Sequence, residues 1–199
     1  THRYQDSLVR VTIPAGVLSN SIPFEVESSK EGTTHRVGES VVPLFGNILL
    51  AIKVPKEFDS LPSHKLSLAR VDEKGRVRYA GGSYKNGWIE GRVGSFGNYM
   101  VVIDTLPPTI STTVKDNMDL TGREYITFKI KDQLSGIASY KVTIDGKWIL
   151  SSYDPKTQSL RTELKSDKIG SGDRRRLEIE VVDNRGNRAS FFWYIRINF

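Results

Sequence analysis

The chain contains no cysteine. Disulfides and thiolate metal sites are therefore excluded, and the redox character of the compartment leaves no mark on the sequence. Long apolar runs are also missing. No window approaches the roughly 18 consecutive apolar residues of a membrane-spanning helix, and the opening THRYQDSLVR is too polar for the apolar segment of a signal peptide. An initiating Met is lacking, so a fragment or a processed chain is expected.

Histidine is scarce: only His2, His35 and His64 occur, separated by gaps of 33 and 29 residues. Catalytic zinc needs three protein ligands converging on one point, which tight spacings favour and these gaps do not, so no metal is expected. Nucleophile elbow, P-loop and dinucleotide fingerprint are all absent, and no cofactor is called for. A glycosidase would need two carboxylates held across a cleft, and the sequence offers only isolated ones such as Glu90 and Asp104. Helix signals are weak, because Pro55 and Pro62 interrupt the best stretch, and a single helical turn is expected near Lys56–Asp59.

The net charge of +6 suggests attraction to anionic polymers, but its distribution is even. Up to Thr105 there are 13 basic against 11 acidic residues, and beyond it 16 against 12. Only Asp173–Arg176, DRRR, forms a basic cluster, and it reads as a solvated loop or strand edge. Nucleic-acid binding, which needs a basic groove lined with stacking rings, is not expected.

Strand signals run from end to end. Ile126, Phe128 and Ile130 alternate with polar residues, as do Leu177, Ile179 and Val181; Phe191, Trp193, Ile195 and Ile197 share one parity. The pairs Asn86-Gly87 and Asp145-Gly146 tolerate the positive φ of a tight hairpin turn, and Asp72–Arg76 and Asp183–Asn187 read as slightly longer hairpin loops. Near the midpoint, IDTLPPTI ends one strand and begins another. Pro107 and Pro108 fit poorly in a central strand and stiffen the passage, while Asp104 closes what precedes them. The expected fold is all-β: two consecutive antiparallel β-sandwiches, residues 1–104 and 109–199, with a short proline-rich linker at 105–108 and an immunoglobulin-like second module, the alternative being one long sandwich kinked at Pro107.

Within this frame, Asp132 and Asp183 are expected to close turns by accepting backbone N–H bonds, with Gly136 and Gly186 supplying positive φ or close approach; calcium ligation at the sandwich ends is the alternative use of these acids. Tyr79, Tyr84 and Trp88 gather on one predicted hairpin, and Trp148, Tyr153, Trp193 and Tyr194 in the second half. Exposed rings of this kind stack on sugar faces, so Tyr84, Trp88 and Trp148 are the candidate glycan contacts, weighed against ordinary core aromatics.

The second half, from DTLPPTI through ITFKIKDQLSGIASYKVTIDGKW to LEIEVVDNRGNRA, resembles the bacterial immunoglobulin-like or fibronectin-type-III-like modules patterned D-x-x-P-P-x-I, D-x-x-S-G-I, I-D-G-K and V-x-D-x-x-G-N. The first half, with VTIPAGVL and YAGGSYKNGWIEGRVGSFGNYMVVIDT, looks like the module preceding it in envelope proteins of Gram-negative gut bacteria. There the pair follows a lysostaphin-like zinc endopeptidase acting on peptidoglycan, whose H-x-x-x-D and H-x-H zinc elements are both expected to be missing from this chain. The resemblance implies a secreted, periplasmic or cell-envelope protein in which this chain is a non-catalytic tail. The tail spaces or docks an N-terminal catalytic domain and contacts cell-wall glycan or another envelope protein. The alternative is a carbohydrate-binding module in its own right; a hidden hydrolase would need a pocket with convergent carboxylates.

Overall fold

The computed structural model describes residues 1–164 and 169–198. It divides the chain into two compact units, Thr1–Thr105 and Leu106–Phe199. Each is a β-sandwich, and no α-helix occurs among the described residues.

The first unit contains β1 (His2–Gln5), β2 (Val9–Ile13), β3 (Val26–Ser28), β4 (Thr34–Val37), β5 (Ile48–Lys53), β6 (Leu66–Val71), β7 (Val77–Gly81), β8 (Ser83–Lys85), β9 (Trp88–Val93) and β10 (Gly97–Ile103). They form two five-stranded sheets, β1-β2-β5-β9-β8 and β3-β4-β10-β6-β7. Alternation decides which side chains turn inward: Val9, Val11, Ile13, Ile48, Leu50, Ile52, Ile89 and Val93 from one sheet meet Leu66, Leu68, Tyr99 and Val101 from the other. The proline-punctuated stretch yields two single 3-10 turns, Lys56–Phe58 after Pro55 and Ser63–Lys65 after Pro62.

The second unit contains β11 (Thr109–Thr112), β12 (Met118–Asp119), β13 (Tyr125–Lys131), β14 (Ile137–Ile144), β15 (Lys147–Trp148), β16 (Ser151–Asp154), β17 (Ser159–Glu163), β18 (Gly172–Asp183) and β19 (Arg188–Ile197). Its sheets run β11-β13-β17-β16 and β12-β19-β18-β14-β15. In immunoglobulin lettering these are ABED facing A′GFCC′, the topology of an Ig-like sandwich. Without cysteine there is no inter-sheet bridge, and Phe128, Ile130, Leu160, Ile179, Val181 and Ile195 hold the sheets together by packing.

One alternation breaks. Trp193, Ile195 and Ile197 turn inward, but Phe191 on the same parity is 52% exposed. The neighbouring β12 pairs only with Ile195 and Arg196, so the start of β19 lies at an uncovered sheet margin, where Phe191 stacks on Trp193.

Four hairpin turns follow their local chemistry. Asn86-Gly87 has φ of 49° and 81°, and Asp145-Gly146 has 48° and 77°, the left-handed pair of a type I′ turn. The other two share one construction. Asp72 N–H donates to the Arg76 carbonyl and Asp183 N–H to that of Asn187, while Gly75 and Gly186 N–H groups return to the Asp72 and Asp183 carbonyls.

Candidate functional site

The acids singled out in the sequence are engaged by their own backbone. Asp132 Oδ2 accepts N–H bonds from Leu134 and Gly136 at 2.9 and 2.8 Å. Asp183 Oδ1 accepts from Arg185 and Asn187, and its Oδ2 accepts from the Asn187 side-chain amide at 2.7 Å. Asp145 accepts the Arg176 N–H at 2.7 Å and pairs with Arg175 Nε at 2.6 Å. Asp104 is buried, and its N–H donates to the Lys65 carbonyl just after β10 ends. In the connector that follows, Pro107 is exposed and Pro108 buried.

The histidines sit on separate elements. His35 on β4 is 1% exposed and shares a 2.8 Å hydrogen bond with Ser28 Oγ. Burial lowers its pKa, against an opposing pull from the Asp6 charge. His64 lies in the second 3-10 turn. Contrary to the expectation that neither zinc element of the resembled peptidase occurs, His2 and Asp6 do stand at H-x-x-x-D spacing, but the structure uses both locally. His2 packs edge-on against Phe24, and Asp6 takes N–H bonds from Leu8 and Val9 and the Tyr4 hydroxyl. Burial opposes ionisation of Asp6, yet these three bonds outweigh it and lower its pKa.

A hollow of about 330 Å³ in the first unit does hold several carboxylates, Glu39, Asp72 and Glu73. Glu39 pairs with Arg36 at 2.6 Å and Asp72 with Arg76 Nε at 2.6 Å. The hydrogen bonds from Arg76 and Lys74 lower the Asp72 pKa, whereas a general acid needs a carboxyl raised towards neutrality. Glu90 and Asp104 stand apart, Glu90 on β9 of one sheet and Asp104 beyond β10 of the other.

The aromatic candidates are dispersed. Residues directly opposite in a ladder share a face, so Lys85↔Trp88 places Trp88 on the outer face of its sheet and Tyr84↔Ile89 places Tyr84 on the inner side. Tyr84, 45% exposed, borders a hollow with Phe58 and Leu61, while Trp88 is only 7% exposed. Trp88 is closed from outside, by the Arg10 guanidinium 3.8 Å from its ring centroid and the Lys53 ammonium at 5.3 Å. In the second unit, Trp148 is half exposed in a cross-sheet row with Thr143, Glu178 and Phe192. Tyr153 belongs to the opposite sheet, its hydroxyl 3.4 Å from the Ile130 carbonyl.

The DRRR run is divided among partners: Asp173 pairs with Arg196, Arg175 with Asp145 and Arg176 with Glu178, while Arg174 lies 4.0 Å over the Tyr194 ring. The stronger basic surface lies elsewhere, where sequence reasoning missed it. On the outer face of the β1-β2-β5-β9-β8 sheet, the ladders set Arg3, Thr12, Leu49 and Arg92 in one row, then Gln5, Arg10, Ala51, Glu90 and Ser83, then Lys53, Trp88 and Lys85. Five cations share this face with one acid. The only signal in the sequence is one basic residue on the outward parity of each strand.

No curated protein matches the chain. Among solved structures, the fibronectin(III)-like modules of Clostridium thermocellum CbhA are similar at 12% identity, over 77% of this chain and 86% of that one, with a TM-score of 0.37. Residues 1–104, more than half of the chain, match the family model of the Zu5-like domain, and the chain belongs to that family.

Proposed function

We propose that the chain is a non-catalytic accessory tail of a secreted or cell-envelope protein, spacing or docking a peptidoglycan endopeptidase domain carried elsewhere in the same protein. One observation carries this reading: the acids and the buried histidine named next are bonded to groups of their own unit. Asp132 and Asp183 bond to turn N–H groups, Glu39 and Asp72 to arginines, and His35 to Ser28. Two such sandwiches in tandem, with only residues 104–108 between β10 and β11, suit a spacer.

The test joins the chain to the C-terminus of a peptidoglycan endopeptidase domain and compares turnover of insoluble sacculi and soluble muropeptide. Faster turnover of sacculi alone is the expected result. Equal turnover with and without the tail defeats the docking role, and release of fragments by the tail alone defeats the non-catalytic one.

Trp148 favours a second reading, direct carbohydrate binding, because it is half exposed on an outer sheet face. Loss of retention on a neutral glycan in Trp148→Ala, with Trp88→Ala unchanged, supports it; no retention of the wild type removes it.

A further inference from the structure

The outer face of the first unit's β1-β2-β5-β9-β8 sheet carries Arg3, Arg10, Lys53, Lys85 and Arg92 against Glu90 alone, a local balance of 5 − 1 = +4. Residues 1–105 as a whole have 13 basic and 11 acidic residues, or +2, so the rest of the unit amounts to −2. The modest overall charge therefore conceals a segregation, with the positive end on one flat sheet.

Few of these cations are neutralised from within. Lys85 has Glu90 at 3.7 Å, the only ion pair on this face among the described residues. Arg3, Lys53 and Arg92 are exposed. Arg10 is spread over Trp88 with its Nε buried and without an acceptor. Strands about 4.8 Å apart and rows about 7 Å apart put Arg3 and Arg92 some 14 Å from each other across the sheet. Each charge thus lies within two Debye lengths, about 16 Å at physiological salt, of at least two others, with only the opposite corners Arg3 and Lys85 as far as about 24 Å apart, and neighbouring fields add at the surface.

Small residues at the centre leave a shallow hollow of about 340 Å³, floored by Ala51 and edged by Arg10, Thr12, Leu49, Glu90 and Arg92. Gln5, Thr12 and Ser83 place an amide and two hydroxyls among the charges. We infer that this face binds an anionic polysaccharide, a chain bearing carboxylate or sulfate groups at intervals and hydroxyls between them. The cations take the anionic groups, the neutral polar side chains take the hydroxyls, and the hollow admits a sugar ring. Single-stranded nucleic acid fits less well, because the one ring on the face, Trp88, is sealed beneath Arg10 and Lys53 and offers no stacking platform. A bilayer would meet a single exposed apolar side chain, Leu49. The inference does not depend on the accessory role proposed above.

The test uses the whole chain with four probes: polygalacturonate, neutral dextran, poly-L-glutamate and a short DNA duplex, each titrated calorimetrically. Polygalacturonate is expected to bind most tightly and dextran not at all, with affinity falling about tenfold or more between about 50 and 500 mM salt. The triple variant Arg3→Glu/Lys53→Glu/Arg92→Glu, whose side chains are exposed, is expected to lose at least about tenfold in affinity while keeping the wild-type circular dichroism and melting curve. Arg174→Glu/Arg188→Glu, a charge change of equal sign in the second unit, is expected to leave binding unchanged. The inference is overturned if the wild type ignores polygalacturonate, if duplex or polyglutamate binds as tightly, or if both variants weaken binding equally, since bulk charge then accounts for it.

Discussion

The Arg10 guanidinium lies 3.8 Å from the centroid of the Trp88 ring, on the solvent side of a sheet whose other side is the core. Trp88 thus has a core residue's burial without belonging to the core. Arg10→Ala is expected to cost about 1–2 kcal/mol, from the lost cation–π contact and stem packing. Trp88 emission should shift to the red and its acrylamide quenching rise. An unchanged spectrum would mean that Arg10 does not cover the ring.

Gly38 illustrates a backbone constraint. Its φ is +59°, and a Cβ placed on it would come within 2.8 Å of Cγ of Phe96, which is fully buried. Gly38→Ala combines a strained conformation with overpacking, so a loss of about 2–3 kcal/mol is expected. Urea unfolding measures it, and a loss below about 0.5 kcal/mol would show that the turn relaxes freely.

His35 couples stability to pH. Burial lowers its pKa in the folded state below the ordinary value of 6.5, so the unfolded chain takes up the proton more readily. Its contribution is complete above the unfolded pKa and is lost as pH falls from there towards the folded value. The stability gap between wild type and His35→Gln should therefore shrink as pH drops below about 6.5. A gap constant between about pH 7.5 and 5 would contradict this sign.

Asp72 and Asp183 form the same turn in different surroundings. Asp183 is 2% exposed and takes two backbone N–H bonds and one from the Asn187 amide. Asp72, with its side chain 23% exposed, takes two backbone bonds and the Arg76 ion pair. Asp183→Ala is expected to cost about 3 kcal/mol, because buried donors lose their acceptor, and Asp72→Ala clearly less, because water replaces it. Urea unfolding of the two variants should preserve that order.

Local chemistry was legible in the sequence. Asn86-Gly87 and Asp145-Gly146 dictate their turns through conformational tolerance alone, and the alternation around Phe128 and Ile179 needs only the two-residue period of a strand. Whatever depends on register and sheet order was not legible. Arg3, Arg10, Lys53, Lys85 and Arg92 are widely spaced in the chain and become neighbours only when four ladders align. Trp88 reads as a ring beside a turn until Arg10, 78 residues earlier, is laid across it. Phe191 shares the parity of buried neighbours, yet it is exposed on a stretch of β19 that β12 does not reach. The DRRR run misled in the opposite direction, since adjacency along a strand alternates its charges between faces.

In the second unit, the short β12 runs parallel to β19 and is flanked by backbone bonds from Asn117 to the Tyr194 carbonyl and from Leu120 to that of Arg196. Parallel strands near opposite ends of a folded unit respond to tension in a particular way. Pulled apart from its termini, the unit must slide β12 along β19, loading these bonds together in shear instead of opening them one by one like a zip.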